Sequence, residues 1–410
     1  MLEQLRLLKS HKGFSPLILS RFISNLGNGL SPVALAYGVL ALPHSTGKDL
    51  SLVMTARITP MIVFMLIGGV VGDRFKRNRI VGGTDIIGSV IAGLIALSFI
   101  KGFATIPLLC VLGGIFGVLN ALWWPAMSGV LPEILPKELL QKGNAVVGLV
   151  SNIGFTAGAL LGGTIVTLFG SGWALLVDAL SFTVAGFLVW NITLPPMPDR
   201  EKNSVLHDLK SGWVEFISRS WVVAVVIGFT FINLCFEATM TVLGPLAYNK
   251  DSFGPRNWSF NLAALTIGMI VGGIISLRIH FGRPLVLGMI AIAFASSWEF
   301  ALGIGITLPI TLLLAIVAGV AIEIFGVVWQ SSMQSNIPEE SYSRVVAYDA
   351  LGSYALAPIG IAVAGPIAIA IGTSTTLIVA ATITLAGALI PLSLSSVRNL
   401  RSHANRAPDA

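Results

Sequence analysis

Gly68-Gly69-Val70-Val71-Gly72-Asp73-Arg74-Phe75-Lys76-Arg77-Asn78-Arg79 lies between two long apolar stretches, and Gly272-Gly273-Ile274-Ile275-Ser276-Leu277-Arg278-Ile279-His280-Phe281-Gly282-Arg283 repeats it in worn form. Gly68 and Gly272, Gly69 and Gly273, Arg74 and Arg278, and Arg79 and Arg283 all stand 204 residues apart, close to half of the 410-residue chain. A fixed offset of that size marks a duplicated module, and parallel duplication is a known way to build a membrane protein. The first copy keeps an acidic residue, Asp73, where the second carries Leu277.

Composition supplies the solvent. The chain is 55% hydrophobic and 11% charged, with a mean hydropathy of +0.86. Soluble domains carry about 25% charged residues, so this much apolar surface belongs in lipid. Spanning segments must satisfy their own backbone hydrogen bonds as helices or as a closed barrel. The apolar runs are continuous and about 20 residues long, which selects helices over alternating strands. Twelve spans are expected, at 16–42, 50–72, 80–100, 105–130, 144–170, 173–193, 221–248, 259–279, 284–303, 308–332, 345–371 and 374–395. The fold class is therefore an all-α membrane protein of two pseudo-symmetric six-helix bundles. The expected organisation is an N-terminal bundle (1–194), a cytoplasmic linker (195–220), a C-terminal bundle (221–396) and a cytoplasmic tail (397–410).

Charge sets the orientation. With the N-terminus inside, only Lys48, Lys101, Lys250 and Arg256 of the 25 Lys and Arg fall outside, and Arg57 falls within a span. The other 20 are cytoplasmic, the pattern of the positive-inside rule. Both termini are thus expected in the cytoplasm, with the chain in the cell membrane, and the net charge of +6 calls for no nucleic acid. Cys110 and Cys235 lie in apolar spans and read as buried small hydrophobes, with no metal or disulfide implied. The linker opens on Pro195-Pro196-Met197-Pro198, and Leu206, Leu209, Trp213, Phe216 and Ile217 then recur at helical spacing among His207, Asp208, Lys210 and Glu215, an amphipathic helix for the membrane surface.

The repeat extends further. Gly148 and Gly352 keep the 204-residue offset, Leu131-Pro132-Glu133 resembles Ile337-Pro338-Glu339, and Asn25 in the first span resembles Asn233 in the seventh. Gly154, Gly158 and Gly162 run down one face of the fifth span with Gly163 beside them, a close-packing stripe of the kind membrane helices use.

Gly72 to Arg79 is similar to the loop signature G-x-x-x-D-R-x-x-R-R of the major facilitator superfamily, with Asn78 where the signature carries an arginine. In length and topology the resemblance covers the whole chain. Trp124-Pro125-Ala126, Leu131-Pro132-Glu133 and Gly143-Asn144-Ala145 resemble the helix 4–5 turn of the branch containing macrolide-efflux and siderophore-export permeases, and Val177 to Phe182 and Asp208 to Trp213 resemble its sixth helix and central loop. Gly158-Ala159-Leu160-Leu161-Gly162-Gly163 looks like the exporter motif G-P-x-x-G-G, with Ala159 in place of the proline, and the fourth span lacks the arginine that many proton-coupled drug exporters carry.

The resemblance implies a major facilitator fold and a secondary active transporter that works by alternating access. It implies a conformational latch built from Gly68, Gly72, Asp73, Arg74, Arg77 and Arg79, joined by Asp85 and by Arg344 and Asp349 at the start of helix 11. A carboxylate such as Asp73 gains from helix N-termini and from guanidinium groups. The resemblance also makes helices 1, 4, 7 and 10 line a cavity. Ionisable residues deep in a membrane are functional candidates by default: Glu237 and Glu323 as proton or cation sites, Arg57 as the deep cation, and Asn25, Asn120 and Asn233 as mid-helix hydrogen-bonding groups. Asp178 and Glu299 are expected nearer the outer interface, and Trp123, Trp124 and Trp329 at the inner one.

Function follows as an expectation. The chain should export a hydrophobic or amphipathic small molecule (drug, macrolide or siderophore-like) against proton entry, as a monomer in the bilayer and with no cofactor. The alternative is an uptake permease for a small polar metabolite, and a non-transporting receptor or scaffold ranks below both. No H-E-x-x-H, G-x-S-x-G or Walker A pattern supports an enzyme or an ATP-driven pump.

Overall fold

The computed structural model describes residues 7–8, 10–194, 212–249, 253–276 and 282–400, and within its helices leaves the side chains of 66, 69, 70, 72, 73, 137, 138, 141, 339–341, 343 and 344 undescribed. Among the described residues there is no strand. The helices are α1 (Phe14–Leu40), α2 (Gly47–Arg74), α3 (Arg77–Ile100), α4 (Ile106–Ile134), α5 (Lys137–Phe169), α6 (Ser171–Trp190), α7 (Ser220–Tyr248), α8 (Gly254–Ser276), α9 (Pro284–Ile304), α10 (Leu308–Asn336), α11 (Glu339–Tyr354 and Ala357–Ile371) and α12 (Thr373–Leu389). The protein is an all-α, multi-pass membrane protein whose α3 to α12 are long and apolar enough to cross a bilayer. α1 and α2, of 27 and 28 residues, complete the twelve. α1 buries its polar side: Ser20, Ser24 and Ser31 all face inward.

Two departures from regular helix have local causes. Within α7, Thr239–Leu243 forms a π-helical turn. Pro245 follows it, and a proline has no N–H for the carbonyl four residues back and crowds that carbonyl. The π turn absorbs the mismatch, as such bulges commonly do near functional sites. α11 breaks between Tyr354 and Ala357, just before Pro358, for the same reason.

Two compact units form. The first holds Met1–Asp199 and Tyr248–Ala263, the second Arg200–Ala247 and Ala264–Ala410. Within the first, α1 packs on α5 and α6, α2 on α4, and α3 on α6. Glycine makes the closest approaches. A Cβ on Gly158 would strike the Leu26 carbonyl, one on Gly154 would sit 2.6 Å from the Phe22 carbonyl, and one on Gly162 would sit 3.0 Å from Leu30 Cα. The stripe read from the sequence therefore sits against α1, where loss of side chains lets backbones meet. In the second unit, α9 packs on α10 and α12. The linker residues 206–211 lie outside the described residues. Residues 212–217 are helical, with Phe216 in the second unit's core and Trp213 stacked on it at 5.8 Å.

Candidate functional site

The second unit encloses a cavity of about 310 Å³ between α7, α9, α10, α11 and α12. One wall is aromatic. Phe229 and Phe325 stack at 4.2 Å, Phe325 and Trp329 stack at 6.0 Å, and Trp221 closes on Trp329 edge-on at 5.6 Å. The opposite side is acidic. Glu299 on α9 is 2% exposed, and its Oε1 accepts a 3.1 Å hydrogen bond from the Thr239 hydroxyl. That hydroxyl opens the π turn of α7, so the bulge that Pro245 demands is the segment that meets Glu299. Glu299 Oε2 is buried and makes no hydrogen bond within 3.5 Å among the described residues, and the Thr384 hydroxyl, likewise without one, borders the same cavity close to this carboxylate.

Asp349 on α11 also lines the cavity, and it is fully engaged. Trp329 Nε1 donates to it at 3.0 Å and Ser353 Oγ at 3.2 Å. Asn233 on α7 donates to the Ser353 carbonyl at 2.9 Å, and Thr230 donates to the Gly352 carbonyl at 2.9 Å, so α7 and α11 are tied side chain to backbone. No Lys, Arg or His is among the described residues lining the cavity. A buried carboxylate is costly unless a cation, a proton or donors meet it.

The first unit handles buried charge differently. The Arg57 guanidinium lies 4.7 Å over the Phe116 ring, and the Asp178 carboxylate, 1% exposed, is an opposite charge nearby, with no direct ion pair between them among the described residues. Ser31, Leu35, Ala92, Ile95 and Leu175 close around them and leave only about 20 Å³ of space. Gly113 and Gly117 admit the arginine: a Cβ on Gly113 would sit 3.6 Å from Arg57 Cβ, and one on Gly117 would strike the Arg57 carbonyl. A second pair lies along α1 and α3. Asp85 is 5% exposed and faces Arg21, whose guanidinium rests 4.8 Å over Trp123.

The comparisons with known proteins fit this architecture. The family model described as Major Facilitator Superfamily matches residues 17–361. The chain belongs to the major facilitator superfamily. This facilitator is 26% identical over 424 aligned residues to the enterobactin exporter EntS of Shigella dysenteriae serotype 1, covering 98% of this chain and 96% of that protein, and equally to EntS of Escherichia coli strain K12. Among solved structures it is similar to a bacterial homolog of the lysosomal transporter Spinster (TM-score 0.68, 14% identity, 97% of this chain and 98% of that one). It is also similar to a POT family transporter in complex with a thioalcohol-conjugated peptide (TM-score 0.72, 14% identity, 94% and 96%). The structural likeness carries the fold alone. The chain is a membrane transporter and not an enzyme.

Within the facilitator the sequence candidates scatter. Of the latch set, the side chains of Gly72, Asp73 and Arg344 lie outside the description, as does Leu277 of the second copy. Gly68 abuts the Ala121 carbonyl, Arg77 pairs with Glu133 at 3.5 Å, Arg79 lies 4.4 Å over Trp190, and Arg74 is exposed. Asp85 goes to Arg21 and Asp349 to Trp329, as above. Asn25 and Asn120 donate to their own helices, at the carbonyls of Arg21 and Phe116. Glu323 packs against Gly272 and Gly273, so the worn copy of the motif makes room for a carboxylate from α10. Gly163 faces Ser259 in the same unit. Glu237, half-buried just before the π turn, lies near Tyr354 and outside the cavity.

Three expectations need correction. Asp178 and Glu299 are expected to be solvated at the outer interface, yet both are buried within their units. Trp329 was placed at the inner interface, yet it lines the cavity and holds Asp349. A signal for the two acids was available: Ser181 follows Asp178 by three residues and Ser296 precedes Glu299 by three, and all four are buried. Small polar residues at helical spacing from a carboxylate mark an inward face.

Proposed function

We propose that this facilitator is a secondary active transporter that works by alternating access and exports a hydrophobic or amphipathic small molecule, of drug, macrolide or siderophore-like character, in exchange for protons. The observation that carries the reading is the end-to-end similarity to proteins named enterobactin exporters. The aromatic, largely apolar cavity of the second unit is consistent with it, since pockets for such ligands are apolar with few placed polar groups. The proton site in this proposal is Glu237. It is half-buried in the seventh helix, just before the π turn and near Tyr354. Glu323 is the second candidate.

The charge distribution supports a cell-membrane location with both termini in the cytoplasm. Asp73 is proposed to stabilise the inward-closed state, so Asp73→Asn should raise labelling of cytoplasmic-side cysteine probes, and unaltered labelling would remove the latch.

Proteoliposomes test the export reading. An imposed proton gradient should drive uptake of an amphipathic dye into everted vesicles, and an uncoupler should abolish it. Dye movement that ignores the gradient would overturn proton coupling. Glu237→Gln should bind dye but lose gradient-driven accumulation, and intact coupling in that variant would overturn its assignment.

A further inference from the structure

The two units solve one problem in two ways. In the first, Ser31 on α1, Ile95 on α3 and Asp178 on α6 surround the Arg57 guanidinium, which covers the Phe116 ring. The repeat carries these positions into the second unit. Ile95 and Glu299 stand 204 residues apart, Ser31 and Thr239 stand 208 apart, the same offset as Asn25 and Asn233, and Asp178 and Thr384 stand 206 apart. Thr239, Glu299 and Thr384 come together in the second unit as Ser31, Ile95 and Asp178 do in the first.

The acid is therefore kept, moved from α6 to α9, while the cation is gone. Asn261, which stands 204 residues after Arg57, is uncharged, and its amide donates to the Asn257 carbonyl and the Tyr248 hydroxyl. Where Arg57 fills the first site to about 20 Å³, the second is left with about 310 Å³, a stacked aromatic wall and a buried carboxylate oxygen without a donor.

We propose that the cavity of the second unit binds a monovalent organic cation with a flat apolar body, in the place that Arg57 occupies in the first unit. Glu299 supplies the counter-charge through its unpaired oxygen, while Thr239 holds the other oxygen in place. The Phe229–Phe325–Trp329 stack receives the apolar body. A cation between a ring face and a carboxylate gains from both. Asp349 already accepts from Trp329 and Ser353, one donor on each oxygen, so Glu299 is the acid of this cavity with an oxygen left open.

The test is equilibrium binding to the full chain in lipid nanodiscs, with no gradient. The probe is a dimethylaminostyryl-N-methylpyridinium dye, and the control is its unmethylated, neutral analogue of nearly the same shape. The cation should bind saturably and about tenfold or more tighter than the neutral analogue, the scale of one charge-assisted contact. Glu299→Gln should erase that difference and leave the neutral analogue's affinity unchanged. Ile322→Trp, which fills the cavity, should weaken both. Equal affinities for the two dyes, or a charge preference that survives in Glu299→Gln, would overturn the proposal. The first result would mean that the Glu299 carboxylate holds a proton instead, and the second that Asp349, the other acid lining the cavity, supplies the charge. Should Glu299→Gln fail to fold, the wild-type dye pair with Ile322→Trp still decides. Because the readout needs no turnover, its failure leaves proton-coupled export standing, and failure of export leaves the site standing.

Discussion

Arg57 and Glu299 mark the contrast between the two units. In the first, a guanidinium over a phenylalanine ring has a buried carboxylate near it, and little space is left. In the second, a carboxylate with one hydroxyl donor faces an open aromatic cavity. Duplication gave both units the same helical frame, and a few positions then split their tasks. The unit that keeps its own counter-ion is built to stay closed. The unit that lacks one bears the desolvation of a buried acid, a cost that an arriving cation would offset.

The largest effect should come from breaking the closed pair. Arg57→Met leaves Asp178 buried without a cation and should cost about 3 kcal/mol or more, read as a lower unfolding temperature of the purified protein in detergent. Adding Asp178→Leu should restore most of that loss. If the single variant is as stable as the parent, the first unit does not depend on the pair and the contrast fails. Asp178→Asn should fall between the two, because it strands the guanidinium but leaves Phe116 beneath it.

Less should follow from the open site. Thr239→Val removes one neutral donor to Glu299 and should cost about 1 kcal/mol. If the loss approaches that of Arg57→Met, the Thr239–Glu299 contact is a structural keystone of the second unit and not one side of a binding cavity. The same thermal measurement made with the cationic dye present sharpens the point. The dye should raise the unfolding temperature of the wild type and leave that of Arg57→Met no less responsive, since the ligand acts on the other unit.

What could be read beforehand divides along physical lines. Twelve helices and the glycine stripe of α5 were legible, because each depends on local composition or on spacing along one helix, whereas the stripe's partner α1 was not. The irregular turns near Thr239 and before Ala357 were not read, although Pro245 and Pro358 were there to mark them, and only packing shows that the first of them meets Glu299. The burial of Asp178 and Glu299 was hidden because depth along a helix was taken for exposure. Which way a side chain faces depends on neighbouring helices, and Ser181 and Ser296 were the only local trace of it. The Arg57 pair needed three helices to meet, information that no single span contains.

The smallest effect separates the units at a pair of equivalent glycines. Gly148 and Gly352 are 204 residues apart. A Cβ on Gly148 meets nothing within 4 Å, whereas one on Gly352 would lie 2.6 Å from Val226 Cγ1, beside the Thr230 bond that joins α7 to α11. Gly148→Ala should stabilise α5 by about 0.5 kcal/mol through helix propensity alone. Gly352→Ala should lose that gain and more, because Val226 must shift and with it the face of α7 that carries Phe229. Binding of the cationic dye should therefore weaken in Gly352→Ala and stay level in Gly148→Ala. Equal behaviour of the two alanines would mean that the repeat preserved packing at this level as well, and that the units differ only in their charges.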